Sequence, residues 1–238
     1  IEKNKVDTLL LNILPQEIAE ELKSKGHATP RYYKSVTILF ADIKSFSTYC
    51  QNLSPQELLH ELHEYFNTFD EIVKESMVEK IKTIGDAYMC AGGLPIPNRS
   101  HPFDVVLVGL RIQQAANEIN LRKQKEGRVP WQFRIGIHTG EIVSGVIGKY
   151  KFAYDIWGDS VNVASRLESA CEPGLVNISG ETYKLIKDFF YCEYRGKIEI
   201  KNRGKIDMFF VKSIKAEYSV DGKGIEPNER FKLFLAEL

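Results

Sequence analysis

Short apolar runs alternate with longer amphipathic stretches through the first half of the chain. The run "SVTILFADI" predicts a buried strand, and "SPQELLHELHEYFNTFDEIVKES" has helical spacing, with Ser54 as the N-cap, Pro55 as the first helical residue and Glu57 as the third. Two further runs, "EKIKTIG" and "AYMCAGG", are apolar-rich with β-branched and aromatic residues. They predict a hairpin closed by a two-residue turn of Gly85 and Asp86, which places Asp86 at its tip.

The second half continues this alternation and then adds further elements. The stretch "FDVVLVGLRIQQAANEINLRKQ" predicts a long helix, and "WQFRIGIHTGEIVSGVIG" predicts a second hairpin with its turn near Thr139 and Gly140. The order β-α-β-β-α-β is typical of a ferredoxin-like core, an antiparallel sheet with helices on one face. Beyond it, "DSVNVASRLESA" predicts a helix, and "LVNISG", "YCEYRGKIEI" and "MFFVKSI" predict strands. We therefore predict an α+β fold, a βαββαβ core with additional C-terminal α/β elements.

The two ends of the chain differ from this core. "VDTLLLNILPQEIAEELKSKG" has apolar residues near helical spacing and a stop signal at Gly26, so it predicts an amphipathic lead-in that either caps the core or connects it to an upstream domain. "GIEPNERFKLFLAEL" predicts a short amphipathic helix from Pro227. Because the sequence begins at Ile1 without a methionine, we expect a fragment of a longer protein. The predicted organisation is a helical lead-in over residues 1–30, a core domain over residues 31–214 and a tail over residues 215–238.

Composition excludes several classes of partner. The chain has 238 residues, 43% of them hydrophobic, which is enough for a sizeable core. Lys plus Arg and Asp plus Glu both total 32, so no global basic field indicates nucleic acid or an anionic membrane as the main partner. No apolar run approaches the roughly 18 residues of a membrane span, so we expect no direct membrane contact. The four scattered cysteines predict reduced thiols in a cytoplasmic location and no zinc site.

Two aspartates are candidates for a metal site. In a ferredoxin-like sheet the first strand usually lies beside the hairpin of the second and third strands, so Asp42, at the end of "ILFADI", can approach Asp86. Two converging carboxylates repel each other unless a cation lies between them, and such oxygen ligands suit Mg²⁺ or Mn²⁺ bound together with a phosphate substrate. The alternative is that both are ordinary turn and edge aspartates.

Two segments offer groups that suit a nucleotide. The run "IKSFS" after Asp42 enters a helix, so free backbone N–H groups there, at Phe46 and Ser47, can receive phosphate oxygens. In "YDIWGDSVNVASR", Asn162 and Arg166 are four residues apart and therefore share one helix face. An arginine can stabilise charge on a phosphorus centre and an asparagine can orient a sugar. The alternative is a solvated helix face.

With these pieces assembled, the chain resembles the class III nucleotide cyclase catalytic domain, a family that makes cyclic AMP or cyclic GMP. The resemblance covers about residues 36–214 and is carried by "LFADIKSFS", "KIKTIGDAYM", "FRIGIHTGEIVSGVIG", "YDIWGDSVNVASRLE" and "EIKNRGKIDMFFV", in family order. It implies that Asp42, Asp86 and the Ile43 carbonyl bind two Mg²⁺ or Mn²⁺ ions per active site. It also implies that Asn162 orients the ribose and that Arg166 stabilises the transition state.

Two positions depart from the family pattern. Lys201 resembles the lysine that binds the triphosphate, but this chain has "KNRG" where many relatives have Lys-Gly-Lys-Gly, with Asn202 at the second position. Ser45 stands where glycine is frequent, so the approach of the backbone to phosphate is expected to differ slightly.

The resemblance also places Lys82 and Asp155 at the positions that read the base. Adenine presents an acceptor at N1 and a donor at its N6 amine, whereas guanine presents a donor at N1 and an acceptor at O6. Lysine can only donate and ionised aspartate can only accept, so the pair matches adenine and mismatches guanine. Guanylyl relatives resemble one another in having Glu and Cys at these two positions. The predicted substrate is therefore ATP.

The implied function is that of an adenylate cyclase, which converts ATP to 3′,5′-cyclic AMP and pyrophosphate by two-metal-ion catalysis. In the family the metal aspartates of one subunit face the base, ribose and phosphate residues of the other, so a homodimer with two interfacial sites is expected. We also expect an upstream regulatory domain in the same polypeptide. The alternatives are a guanylyl or dual-specificity cyclase, or a catalytically silent nucleotide-sensing dimerisation module, although the residues that silent relatives usually lack are all present.

Overall fold

The computed structural model describes residues 10–11, 13–148, 151–200, 204–222 and 224–238. The helices are α1 (Gln16–Lys25), α2 (Phe46–Asn52), α3 (Pro55–Lys74), α4 (His101–Lys125), α5 (Asp159–Ser169), α6 (Gly180–Ile186) and α7 (Glu229–Ala236). The strands are β1 (Arg31–Ile43), β2 (Val78–Ile84), β3 (Ala87–Gly92), β4 (Phe133–Ile147), β5 (Ala153–Trp157), β6 (Val176–Ser179), β7 (Phe190–Ile200) and β8 (Gly204–Ile214). Two 3₁₀ turns, Ala216–Tyr218 and Val220–Gly222, precede α7.

One mixed sheet contains the eight strands of the described residues. Its order is β2-β3-β1-β4-β6-β8-β7. Strand β5 lies off this path and pairs antiparallel with the last five residues of β4, Val143 to Ile147. The first four strands of this order form the ferredoxin-like core that the sequence predicts, with β1 between β3 and β4. The sheet is not entirely antiparallel, because β4 and β6 run parallel. The prediction of an α+β fold with a βαββαβ core and added C-terminal elements is confirmed.

Helices cover both faces of the sheet rather than one. The larger core contains Leu39, Ala41 and Ile43 of β1 together with buried residues of α3, α4 and α7. The opposite face, which carries Val36, Ile38 and Phe40, packs against α1 and against Ala164 of α5. Alternate β1 residues therefore point into two different cores. The predicted one-sided arrangement holds for the two long helices and is wrong for α1 and α5.

The N-terminal signals of α3 and the first hairpin are confirmed. Ser54 accepts a hydrogen bond from the Glu57 amide and the Glu57 side chain accepts one from the Ser54 amide, so a complete capping box precedes Pro55 at the first helical position. In the hairpin, Ile84 pairs with Ala87 across a two-residue turn. Gly85 has a φ of 62°, the sign that a type II′ turn requires of its first central residue.

The second predicted hairpin has its turn in the wrong place. Thr139 and Gly140 lie inside β4, which is one continuous strand of fifteen residues, Phe133–Ile147. The chain reverses after Ile147 instead and returns as β5, with Ile147 opposite Ala153. Gly140 is required by packing, because a Cβ atom there would lie 2.3 Å from the Ser160 hydroxyl of α5. Its presence in the strand therefore reflects close approach of a helix.

The C-terminal tail folds onto the larger core. Asn228 caps α7 by accepting a hydrogen bond from the Phe231 amide, and Phe231 is fully buried. Phe231 packs among Phe103, Phe189 and Phe190 with ring centroids 5.1 to 6.1 Å apart. The predicted C-terminal helix is confirmed, and it begins at Glu229, two residues after Pro227. None of the helices in the described part of the chain is both long and apolar enough to cross a membrane.

Candidate active site

The two predicted metal aspartates converge at one end of the sheet. Asp42 is the last residue but one of β1, and Asp86 is the second residue of the turn between β2 and β3. Because Ala41 pairs with Tyr88 across β1 and β3, the strand register places Asp42 beside the hairpin tip. The two carboxylates are close enough for the charge of Asp42 to raise the pKa of Asp86, in addition to the larger effect of burial. Burial also raises the pKa of Asp42.

An arginine that sequence reasoning missed lies beside these carboxylates. Arg134 of β4 pairs directly with Asp42 in the strand register, so both side chains project from the same face. Its Nη2 atom is 3.3 Å from Asp42 Oδ1 and 2.9 Å from Glu168 Oε1. Arg134 partly offsets the rise in the pKa of both aspartates.

Glu168 is the second residue that sequence reasoning missed. It lies on α5, two residues after Arg166, and is only 5% exposed. Burial and the charge of Asp42 raise the pKa of Glu168 to about 7, and Arg134 opposes this rise. Both missed residues stand inside quoted motifs, "FRIG" and "SRLE", but neither spacing shows that they meet.

The oxygen set fits a hard divalent cation shared with a ligand. Asp42 and Asp86 are held near each other although each raises the free energy of the other in the ionised state, and a cation between them would remove that cost. Among the described residues, no cluster of three or more His, Cys, Asp or Glu is arranged to hold a metal by itself. Further ligands would have to be a backbone carbonyl, such as that of Ile43, or oxygens of a bound nucleotide.

Lys82 and Asp155 are brought together as a contacting pair. The Lys82 ammonium donates to Asp155 Oδ2, which links β2 to β5. The other carboxylate oxygen, Oδ1, accepts a hydrogen bond of 2.8 Å from the Ile156 amide, which fixes the orientation of the carboxylate. Both residues are partly exposed, so the side chains can reach a ligand. A cation donor and an anion acceptor therefore lie side by side, and their role as base readers stays a prediction.

Asn162 and Arg166 share the exposed face of α5. The helix buries Ser160, Val163, Ala164, Leu167 and Glu168, whereas Asn162 and Arg166 are exposed. Arg166 lines an open cavity of about 390 Å³ with Ser169, Ala170, Ile198 and Glu199. None of the four residues Asp42, Asp86, Lys82 and Asp155 lines that cavity. Within one chain these four residues therefore do not share the cavity of Arg166.

The segment after Asp42 has the backbone predicted for it. Ser45 has a φ of 59°, a left-handed conformation that favours glycine, which gives a physical reason for the glycine expected at this position. Phe46 and Ser47 are the first residues of α2, where helical N–H groups lack intrahelical acceptors. The Phe46 ring packs edge-on against Trp131 with centroids 5.9 Å apart, so this segment is anchored to the core. Lys201 lies outside the described residues.

Comparison with known proteins identifies the family of this chain. Residues 29–213 match the family described as the adenylate and guanylate cyclase catalytic domain. Guanylate cyclase soluble subunit beta-2 of Rattus norvegicus is 36% identical over 212 residues, which are 89% of this chain and 31% of that protein. An adenylate cyclase of Mycobacterium tuberculosis is 36% identical over 211 residues, which are 88% of this chain and 47% of that protein. The chain thus spans 31% and 47% of the length of these two curated relatives.

Solved structures of both kinds of cyclase share the fold. The adenylyl cyclase CyaB from P. aeruginosa superposes with a TM-score of 0.73 at 30% identity, covering 77% of this chain and 96% of that one. The guanylate cyclase domain of RhGC from Catenaria anguillulae, solved in complex with GTP, gives 0.70 at 30% identity, covering 78% of this chain and 100% of that one. Fold and site together define a nucleotide cyclase catalytic domain. The chain belongs to the adenylate and guanylate cyclase catalytic domain family, the class III nucleotide cyclases.

Proposed function

We propose that this chain is an adenylate cyclase domain that converts ATP to 3′,5′-cyclic AMP and pyrophosphate. The observation that carries this choice of substrate is the contact between the Lys82 ammonium and the Asp155 carboxylate. The pair offers one donor and one acceptor at neighbouring positions, the complement of adenine N1 and the N6 amine. Guanine would place its donor against the lysine and its acceptor against the carboxylate, and mismatched hydrogen-bonding groups of this kind discriminate between ligands.

Two Mg²⁺ or Mn²⁺ ions per active site would be held by Asp42, Asp86 and the Ile43 carbonyl. When bound, such ions supply positive charge that neutralises the triphosphate and lowers the pKa of the ribose 3′-hydroxyl. The support for this assignment is the convergence of two partly buried carboxylates, each with a raised pKa.

The remaining residues would orient the substrate and stabilise charge. Asn162 would orient the ribose so that its 3′-oxygen faces the α-phosphorus, and Arg166 would stabilise the charge that develops there as pyrophosphate leaves. The Phe46 and Ser47 amides and the Lys201 ammonium would bind phosphate oxygens. The exposed position of Asn162 and Arg166 on one face of α5 suits this role.

We infer that the active form is a homodimer with two interfacial sites. One chain keeps its metal aspartates apart from the cavity that Arg166 lines, so a second copy would complete each site. An exposed apolar surface supports such an assembly. It consists of Tyr32, Val143, Ile147, Phe152 and Trp157 around the β4 and β5 hairpin, exposed by 38 to 63%.

We further propose that residues 1–30 transmit signals from an upstream regulatory domain of the same polypeptide. The support is that α1 is packed into the domain through Leu14, Ile18 and Ala19, which lie against the sheet face that also carries Tyr154 and Ile156 of β5. Glu21 of α1 pairs with Arg31 of β1 at 2.9 Å, which ties the lead-in to the first strand. The residues of β5 that flank Asp155 thus share one core with the lead-in helix.

The test is production of cyclic nucleotide by the purified chain with ATP or GTP, each with Mg²⁺ or Mn²⁺. We expect cyclic AMP from ATP, lost in the Asp42→Ala variant, and a specific activity that rises with protein concentration as dimers form. Absence of product at every protein concentration would contradict the proposal and favour the silent nucleotide-sensing module.

A guanylyl cyclase is the second candidate, because relatives at 36% identity include a guanylate cyclase subunit as well as an adenylate cyclase. The same assay separates the two. Cyclic GMP as the main product would contradict the assignment of Lys82 and Asp155 as readers of adenine and would require a different mode of base recognition.

A further inference from the structure

The buried and the exposed sides of α5 carry charged residues of opposite sign. Glu168 follows Arg166 by two residues, and residues two apart on a helix project in nearly opposite directions. Arg166 points outward into its cavity, and Glu168 points toward the sheet with 5% of its surface exposed. A carboxylate this deeply buried is costly unless it has a partner.

Glu168 Oε2 accepts a hydrogen bond of 3.2 Å from the Ser169 hydroxyl, and the charged partner of Glu168 is the arginine that also contacts Asp42. One atom, Arg134 Nη2, lies 2.9 Å from Glu168 Oε1 and 3.3 Å from Asp42 Oδ1. The shorter ion-pair distance is to Glu168, whereas the hydrogen bond of Nη2 is donated to Asp42 Oδ1, so the two carboxylates share one guanidinium. Without Glu168 the same guanidinium would be free to pair fully with Asp42, in competition with any cation bound there.

The position of α5 against the sheet is tightly fixed. A Cβ atom on Gly136, two residues along β4 from Arg134, would lie 2.0 Å from the Glu168 amide nitrogen. Only a glycine allows this approach, and it sets the distance between Glu168 and the strand that carries Arg134.

We propose that Glu168 is a positioning residue, which holds Arg134 back from Asp42 and so keeps the carboxylate available to a divalent cation. The inference rests on the proposed function for the identity of the metal site. In the proposed dimer, α5 then serves two active sites. Its buried side supports the metal-binding half of one site through Arg134, and its exposed side supplies Arg166 to the other.

The first experiment measures Mn²⁺ binding to the full chain by electron paramagnetic resonance, with Mn²⁺ alone as the probe. Glu168→Gln removes the charge while keeping the size, and we expect its Mn²⁺ dissociation constant to rise about 5-fold. In an Arg134→Met background the same substitution should change the constant less than 2-fold, because the residue through which Glu168 acts is gone. Glu172→Gln, an exposed carboxylate just beyond α5, is the matched control and should leave Mn²⁺ binding unchanged.

Equal effects of Glu168→Gln in both backgrounds, or no effect in the native background, would overturn the positioning role. Glu168→Asp provides a second variant if Glu168→Gln does not fold, since it retains the charge at a greater distance from Arg134 and should weaken Mn²⁺ binding less. Failure of the native chain to bind Mn²⁺ both alone and in the presence of a non-cyclisable ATP analogue would contradict the metal site itself, a result distinct from failure of the Glu168 proposal.

A mixing experiment tests the assignment of α5 to two sites. Asp42→Ala and Arg166→Ala chains, each inactive as a homodimer, should together form a heterodimer with one intact site. Glu168→Gln added to the Arg166→Ala chain should raise the metal concentration needed for half-maximal activity about 5-fold, because that chain supplies the working Asp42. Added to the Asp42→Ala chain it should leave the requirement unchanged. The same shift from either chain would refute action through Arg134 and Asp42.

Discussion

At the scale of single residues, the clearest feature is the pair of carboxylates that the strands hold together against their mutual repulsion. Asp86 is disfavoured as an anion first by burial and then by the charge of Asp42. Groups of this kind destabilise the unliganded protein, and they are typical of sites that bind a ligand. Removal of the carboxylate should therefore stabilise the fold while abolishing function.

Asp86→Asn should raise the melting temperature of the metal-free chain by a few degrees at pH 7. The pKa of Asp86 is higher in the folded than in the unfolded chain, so its ionised form destabilises the fold at neutral pH. This cost begins to shrink as the pH falls through the folded pKa and is lost below the unfolded pKa, where the two chains should melt alike. Melting followed by circular dichroism in the presence of a chelator measures the difference, with exposed Asp188→Asn as the control. A lower melting temperature for Asp86→Asn at pH 7 would contradict the prediction.

Replacement of both proposed base readers by the residues of guanylyl relatives should shift the substrate preference from ATP towards GTP. In Lys82→Glu combined with Asp155→Cys, the acceptor replaces the donor, so activity with ATP should fall at least roughly 10-fold and activity with GTP should rise. The ratio of kcat/KM for the two nucleotides is the measurement. Lys80→Glu, a change of the same charge on the same strand, should leave the ratio unaltered, and a ratio unchanged in the double variant would exclude these residues as base readers.

At the scale of secondary-structure elements, features that depend on neighbouring residues were predicted more accurately than features that depend on contacts between distant elements. The α3 capping box and the hairpin turn of Gly85 and Asp86 were predictable because each depends on a few neighbouring residues. The β4 turn was predicted wrongly because Gly140 has a role that lies on another element, contact with Ser160 of α5. The approach of Asp42 to Asp86 was predictable because it follows from the order of the strands. The contact between Arg134 and Glu168 was not, because it depends on the packing of α5 on β4.

Gly136→Ala should destabilise the fold by roughly 3 kcal/mol, since the added methyl overlaps backbone atoms of α5 that cannot move aside as a side chain would. Gly145→Ala is a matched control on the same strand, because its Cβ would lie 3.5 Å from the nearest atom, an ordinary contact. Urea denaturation of both variants measures the free energy of unfolding. Equal stability of the two would show that α5 can shift on β4.

At the scale of the whole molecule, the tail is part of the core. Arg111 of α4 makes a two-point contact with Glu226, with Nη2 2.6 Å from Oε2, so the tail is also tied to the second long helix by charge. Arg111 is partly buried and its partner is exposed, so this pair contributes little compared with the aromatic cluster around Phe231.

Phe231→Ala should cost about 3–5 kcal/mol of unfolding free energy, the usual range for loss of a fully buried phenylalanine. Leu233→Ala, two residues along the same helix and 65% exposed, should cost less than about 0.5 kcal/mol. Thermal melting of the two variants measures the contrast. A small effect at Phe231 would mean that the core is complete without α7.

This packing of the tail bears on how the domain can be grafted onto other input proteins. The family match ends at residue 213, before α7 begins. A chimera cut at that residue would carry Phe103, Phe189 and Phe190 as an open aromatic surface, which favours aggregation. Chimeric cyclases that keep the chain through Leu238 should be produced in soluble form, and those trimmed to the homology boundary should not.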